Sequence, residues 1–363
     1  MTSRERLLAA LHGERPDRLP WAPEFNLVFG ERVLSEIPGA PYAREDAYLE
    51  TCRRMKAECF ARVDAIEVTY RNVEVVETRE GDEIRRTFRT PTRDLTLHSR
   101  MISDIGVEME RQHLVRTLED VRAYQFIYED AIYTPRYDDV QSRLEAMGEA
   151  GLYSIFGPPT PLLDLIMFQI RLPNVYYFLE DHPQEMEVLL ATMHRRNCEY
   201  YELAAAGPGE VVRPFEDTST TLVSPELYRR YCLKQLQDYR DICHAHGKLF
   251  VPHMCGFLKG VLPELAETGL DGIEALTPPP LGDCPIGLAR EKLGPNVTLI
   301  GGLDPTQFVS ATPDKTRAML LDYVSQMGDG RRMVLGHEEI HIKADLESVR
   351  VIPELLEELA RFR

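Results

Sequence analysis

A chain of 363 residues with 42 Lys and Arg against 59 Asp and Glu carries a formal net charge of -17, which repels nucleic acid and anionic lipid and excludes both as expected partners. Its 44% hydrophobic content can fill a large core, so length alone permits one big α/β domain or two smaller ones. No stretch reaches about eighteen uninterrupted apolar residues, and the seven cysteines form an odd set without framework spacing, which excludes a membrane span and a disulfide scaffold and points to reduced thiols in a cytoplasmic protein.

The opening "MTSRERLLAALHGERPDRLPW" is amphipathic and has no apolar h-region, so no leader peptide is expected. A first buried strand is predicted at "DRLPWAP" (17–23), ending at Glu24. A second is predicted at "VDAIEVTY" (63–70), ending at Tyr70 and Arg71. The connection 71–151 contains a β-ribbon pattern over 73–100, whose basic part, "EIRRTFRTPTRDLTLHSR", reads as a solvated hairpin face ahead of an anion site. A third strand, "LYSIFG" (152–157), runs into Gly157 and the proline-stiffened loop "FGPPTPLLDL". The fourth, "EVVRPFE" (210–216), ends on Glu216 and Asp217. The fifth, "KLFVP" (248–252), is followed at once by His253 and Cys255.

The sixth strand, "DGIEAL" (271–276), contains Glu274. The seventh, "VTLIGG" (297–302), ends on Gly302 and Asp304, and the eighth, "RMVLG" (332–336), on His337 and Glu338. Helical patterns separate them. In "SPELYRRYCLKQLQDYRDICHAHGK", Ser224 can cap, Pro225 suits the first turn and Gly247 stops the run; Thr312, Pro313 and Gly328 repeat that scheme. Eight apolar runs alternating with helices predict an α/β fold, a (β/α)8 TIM barrel forming one domain over 1–363 with a β-hairpin insertion between strands two and three. A doubly wound open sheet is the alternative, and the βα turns carry no G-x-G-x-x-G or Walker motif to support it.

Chemistry in such barrels sits at the C-terminal ends of the strands, which makes the strand-end residues the candidates. His253 and Cys255, one residue apart, offer two borderline-soft donors to one ion; Glu274 with His337 or Glu338 would complete a tetrahedral zinc set. An H-x-C pair also arises without a metal, as a packed cysteine beside a histidine. Glu216 and Asp217 are candidate catalytic carboxylates, as base or as a seat for an amine, while Asp217 can equally cap the polar turn after it. Tyr70, Gly157, Gly302 and Asp304 are candidate cofactor-binding positions. The paired glycines of "IGGLDP" let a backbone approach a ligand or simply make a βα turn, and Trp21 and Tyr70 at the rim serve either core or platform.

Taken together, "SRERLLAALHGERPDRLPWAPEF", "FGPPTPLLDL", "FEDTSTTLVSPELYRRY", "VPHMCGFLKGVLPELAETGLDGIEAL" and "NVTLIGGLDPTQF" resemble the uroporphyrinogen decarboxylase superfamily, which also contains cobamide-dependent methyltransferases. The arginine-containing R-Q-A-G-R-Y segment of the true decarboxylases is absent: "PWAPEFNLVFGERV" stands in its place, and "VDAIEVTYRNVEV" lacks their substrate-orienting aspartate. The likeness is nearer the methyltransferase branch, whose members hold zinc with an H-x-C pair and a distant cysteine. His253 and Cys255 match that pair, Glu274 resembles an exchangeable zinc-binding glutamate, and "VLGHEEIH" has no cysteine, so His337 or Glu338 stands where the third ligand would be.

The resemblance implies Zn2+ and a methyl-cobamide supplied by a separate corrinoid carrier protein, since the chain has no D-x-H-x-x-G cobamide signature. It also implies a small-molecule methyl acceptor, either a thiol or tetrahydrofolate, and a homodimer as an expected assembly. Two other functions remain open on the same barrel: a decarboxylase or lyase of a carboxylate substrate that relies on Arg71 or Arg213, and a repurposed ligand-binding barrel without turnover.

Overall fold

The computed structural model describes residues 1–35, 44–102, 107–337, 339–340 and 343–360, so Glu338 lies outside the described residues. Thirteen strands are described, in chain order β1 (Cys59–Val63), β2 (Ile66–Tyr70), β3 (Glu74–Glu80), β4 (Glu83–Arg89), β5 (Asp94–Ile102), β6 (Val107–Gln112), β7 (Ala131–Pro135), β8 (Gly151–Gly157), β9 (Val211–Pro214), β10 (Leu249–Phe250), β11 (Gly272–Leu276), β12 (Thr298–Gly302) and β13 (Met333–Gly336). Two parallel sheets make an α/β fold: one runs β1-β8-β9-β10, the other β11-β12-β13. Single parallel bridges join them, His253 to Glu274 on one side and Trp21 to Leu335 on the other, and the Glu58 N–H reaches the Trp21 carbonyl at 2.8 Å beside β1.

Proline explains why two expected strands shrink. Pro20 and Pro23 flank the Trp21 bridge and have no N–H to extend a ladder, so "DRLPWAP" contributes one bridge residue. Pro252 likewise ends β10 after two residues, and pairing resumes at His253, whose N–H donates to the Pro214 carbonyl at 2.8 Å. The second expected strand, 63–70, is corrected. The parallel strand is β1, and β2 pairs antiparallel with β7. Alternation in "IEVTY" marks a half-exposed ribbon, whereas a strand buried on both faces needs no alternation. Strands β3 to β6 form a separate four-stranded antiparallel sheet in chain order.

Side chains at Ala22, Phe60, Leu152, Val211, Val251, Ile300 and Val334 come together from seven segments into one apolar cluster, with Leu7, Ala10 and Leu11 of the helix Ser3–His12 packed on it. That helix starts with a capping box, Thr2 with Glu5, and stops at left-handed Gly13. Arg332 donates to the Leu11 carbonyl at 2.9 Å, which seats the helix at the N-terminal ends of the strands and leaves the C-terminal ends for the site. The predicted caps are present too. Ser224 accepts from Leu227 N–H at 3.2 Å and Thr312 from Lys315 N–H at 3.4 Å. Among the described residues no helix is long and apolar enough to cross a membrane.

Candidate functional site

Beyond the C-terminal ends of the strands, one imidazole and two carboxylates converge. Glu24, His253 and Glu274 each present a ligand atom within 4.8 Å of the others. His253 Nδ1 and Glu274 Oε2 are 2.5 Å apart, both nearly sealed from solvent. Glu274 stands where β11 departs from regular pairing: the register shifts between Ile273 and Leu276, and Ala275 takes a left-handed φ of 73°. Such a bulge re-aims one side chain, and a non-glycine residue held there costs about 1–3 kcal/mol, strain of the kind found at functional sites. The Phe215 ring stacks on the His253 imidazole, centroids 4.7 Å apart and planes 12° apart, which fixes the plane of the donor.

Two arginines neutralise the acids. Arg213, 2% exposed, places Nη1 3.4 Å from Glu274 Oε2 and 3.8 Å from Glu24 Oε1, while Arg62 lies 3.9 Å from Glu24. Burial alone would push the His253 imidazole down, but the charge of Glu274 and side-chain hydrogen bonds to Cys255 and Glu274 overrule it and hold its pKa well above the ordinary value. Burial would likewise raise Glu274; the charges of His253 and Arg213 win, and its carboxyl sits low in the carboxylate range. One imidazole and two carboxylates are donors suited in type to zinc, while Cys255, hydrogen-bonded to the imidazole, lies outside the converging set. A tetrahedral set with bonds of about 2.0–2.3 Å needs donors only about 1 Å further apart than the present His253–Glu274 contact. The donor set therefore fits a divalent cation, with the Arg213 guanidinium as its internal competitor.

The other sequence-derived candidates are distributed as follows. Cys255 and Asp217 line one cavity of about 330 Å³. Asp217 also accepts from Ser219 N–H at 3.3 Å, the turn-capping role, and burial raises its pKa against the opposing charge of His253. Glu216 is turned elsewhere: both its oxygens are taken by Thr160, from the backbone N–H at 2.7 Å and the hydroxyl at 2.6 Å, and burial pushes it up to about 7. It anchors the loop entering the helix Pro161–Asp164. His337 is packed with Phe25 and Phe308 and is not in the converging set. Its carbonyl instead accepts the Glu24 N–H at 3.2 Å, so the carboxylate arrives from the neighbouring segment.

Sequence reasoning placed Glu24 at a strand end but gave it no role, and gave Arg62 none. The acidic residue directly after the first apolar run was the available signal. Glu24, Arg62 and Arg213 border a cavity of about 530 Å³.

Gly157 and Gly302 serve packing. A Cβ on Gly157 would meet the Tyr201 hydroxyl at 2.6 Å, and one on Gly302, φ 97°, the Tyr323 ring at 2.0 Å. Gly302→Ala is therefore expected to lose about 2–4 kcal/mol of unfolding free energy in urea titration, combining strain and overpacking. Asp304, fully buried, caps the turn at Thr306 and accepts from Leu281 N–H at 3.3 Å. It shares with Gly302 a cavity of about 170 Å³ that has no wall residue in common with the other two.

Tyr70 faces a fourth cavity, of about 430 Å³, and burial raises its hydroxyl to about 12. Behind that cavity Asp164 is buried and accepts from Tyr124, Tyr128 and Gln169. Burial outweighs those three bonds and pushes the Asp164 carboxyl from 3.8 up to about 6. Its folded state thus holds the proton longer than the unfolded chain, and this residue's contribution falls as pH rises from about 4 through about 6. Relative to Asp164→Asn, the wild type is expected to lose about 3 kcal/mol between about pH 4 and about pH 7, read from urea titrations of both proteins across that range.

Comparison with known proteins follows the same lines. The family profile described as Uroporphyrinogen decarboxylase (URO-D) matches residues 107–359. A uroporphyrinogen decarboxylase of Thioalkalivibrio sulfidiphilus (strain HL-EbGR7) is 30% identical over 180 residues, 48% of this chain and 49% of that protein, so the match spans about half of the curated relative. A methyltransferase from Methanosarcina mazei superposes over 99% of both chains with a TM-score of 0.63 at 16% identity, a likeness of fold.

Proposed function

Because the chain belongs to the uroporphyrinogen decarboxylase (URO-D) family, we propose that it is a zinc-dependent methyltransferase, moving a methyl group between the methyl-cobamide of a corrinoid protein and a thiol or tetrahydrofolate. In this reading the two parallel sheets and their bridges close into a (β/α)8 barrel that works as one domain, with the site at its mouth. The observation that carries it is the convergence of His253, Glu274 and Glu24 within 4.8 Å, at the end of the molecule opposite the Ser3–His12 plug.

His253, Glu274 and Glu24 would hold the zinc, with the Cys255 thiol beside the imidazole as a fourth donor. Bound there, zinc supplies Lewis-acid activation that keeps an acceptor thiol ionised at neutral pH. Phe215 keeps the imidazole in plane, and Arg213 holds Glu274 in orientation through its 3.4 Å contact. Asp217, in the wall shared with Cys255, would take the proton an incoming thiol gives up. A polycarboxylate substrate finds less support, because each arginine at the site, Arg62 and Arg213, already has a carboxylate of the protein within 4 Å.

Elemental analysis of the purified protein is expected to give about one zinc per chain, and methylcobalamin is expected to lose its methyl group only when a thiol is added. Carbon dioxide release from a carboxylate without corrinoid, by protein free of zinc, would overturn the assignment.

A further inference from the structure

The cavity of about 430 Å³ that Tyr70 borders is walled by aromatic rings and lies next to the proposed zinc site, sharing Asp64 and Phe156 with the cavity beside Glu24 and Arg213. Its size is that of a small-molecule pocket. The rings meet at steep angles: Tyr70 and Phe88 at 85°, Tyr124 and Tyr128 at 71°, Tyr133 and Tyr200 at 83°. These six rings and Phe156 line the cavity, and a π face carries negative charge density.

Charge decides what such a box can hold. Among the described residues no Lys, Arg or His borders it, which disfavours an anion. Two carboxylates bias it toward a cation. Asp64 stands in the wall and makes no ion pair among the described residues. Asp164 lies behind Tyr124 and Tyr128, accepts their hydroxyls at 3.1 and 3.3 Å, and is held by hydrogen bonds without a cationic partner among the described residues. The protein already uses one of these rings this way, with the Arg196 guanidinium 4.6 Å from the centre of Tyr133. A neutral ring would gain area burial from this cavity; a cation gains area, ring quadrupoles and two carboxylates together.

We propose that this cavity is a binding site for an alkylated ammonium group, the head of a small cationic metabolite. The assignment stands apart from the zinc reading, since binding needs neither metal nor turnover. It also gives Tyr70 a ligand, one face of a cation box.

Isothermal titration of the whole chain tests it with three probes: choline, its uncharged carbon isostere 3,3-dimethylbutan-1-ol, and anisole as a neutral ring. Choline is expected to bind at least roughly tenfold more tightly than the isostere. Tyr70→Leu is expected to weaken choline by roughly tenfold while Tyr70→Phe, which keeps the π face, retains it. Tyr70 is a half-buried strand-end residue, and a matched thermal melt verifies that both variants are folded. Equal binding of choline and the isostere, a preference for anisole, or no binding of choline at millimolar concentration would each overturn the proposal.

Discussion

Replacing His253 by alanine is expected to lower bound zinc from about one per chain to background and to cost methyl transfer more than roughly a hundredfold, since loss of even an outer partner of a metal ligand costs about 10–100-fold. Glu274→Gln should come close to it, because the amide keeps the shape and gives up the charge. The informative pair is Glu24→Gln and His337→Ala. The first removes a donor from the converging set and should weaken zinc; the second touches a ring packed between Phe25 and Phe308 and should leave zinc in place. Retention of zinc in Glu24→Gln together with its loss in His337→Ala would reverse the donor assignment. Arg213→Met carries a sign of its own. With the competing guanidinium gone, Glu24 and Glu274 should bind divalent cations more tightly, while the metal-free protein, left with uncompensated buried carboxylates, should become less stable. Metal titration by competition with a chromogenic chelator, paired with thermal melts, reads both changes.

The second large effect is expected far from the chemistry. Glu58 is fully buried and accepts from three residues, from Arg6 Nη1 at 2.7 Å, from Arg18 Nη2 at 2.6 Å and Nη1 at 3.4 Å, and from the Trp21 N–H at 2.6 Å. Its own N–H donates to the Trp21 carbonyl. Glu58 thereby does what the prolines on either side of Trp21 prevent a regular ladder from doing: it fastens the first segment to β1. Glu58→Ala strips the acceptor from a buried guanidinium and a buried N–H, which is expected to cost about 3–5 kcal/mol. At roughly 2–4 °C per kcal/mol for chains of a few hundred residues, the melting temperature should fall by roughly 6–20 °C. Glu58→Gln keeps one oxygen acceptor and should lose about half as much. A melt unchanged in Glu58→Ala would show that the Trp21 segment is held by packing alone.

Much of the fold was readable because parallel strands buried on both faces must be apolar without interruption, and "LYSIFG", "VTLIGG" and "RMVLG" are. Helix limits were readable for a similar local reason: Ser224, Thr312 and Gly247 act on their own neighbours. β1 was passed over because "CFARV" carries Ala61 and Arg62 in five residues, while the nearby "IEVTY" alternates more strongly and belongs to the β2–β7 ribbon. Of the converging set, His253 and Glu274 stood out by type and position, while Cys255 lines the neighbouring cavity. Glu24 did not, because its role depends on a segment that pairs with β13, some 300 residues later in the chain.

The amino-acid sequence by itself determined the class of fold, most of its parallel strands, the helix caps and the strand ends where polar donors gather, since each follows from periodicity or from contacts a few residues long. Only the tertiary structure decided which donors meet. Glu24 joined His253 and Glu274 while His337 stayed apart, Glu216 was drawn to Thr160, the glycines were committed to Tyr201 and Tyr323, and Arg213 was set against the carboxylates. Those outcomes depend on register between distant segments and on a bulge at Ala275, and a one-residue change in either would turn a side chain to the opposite face.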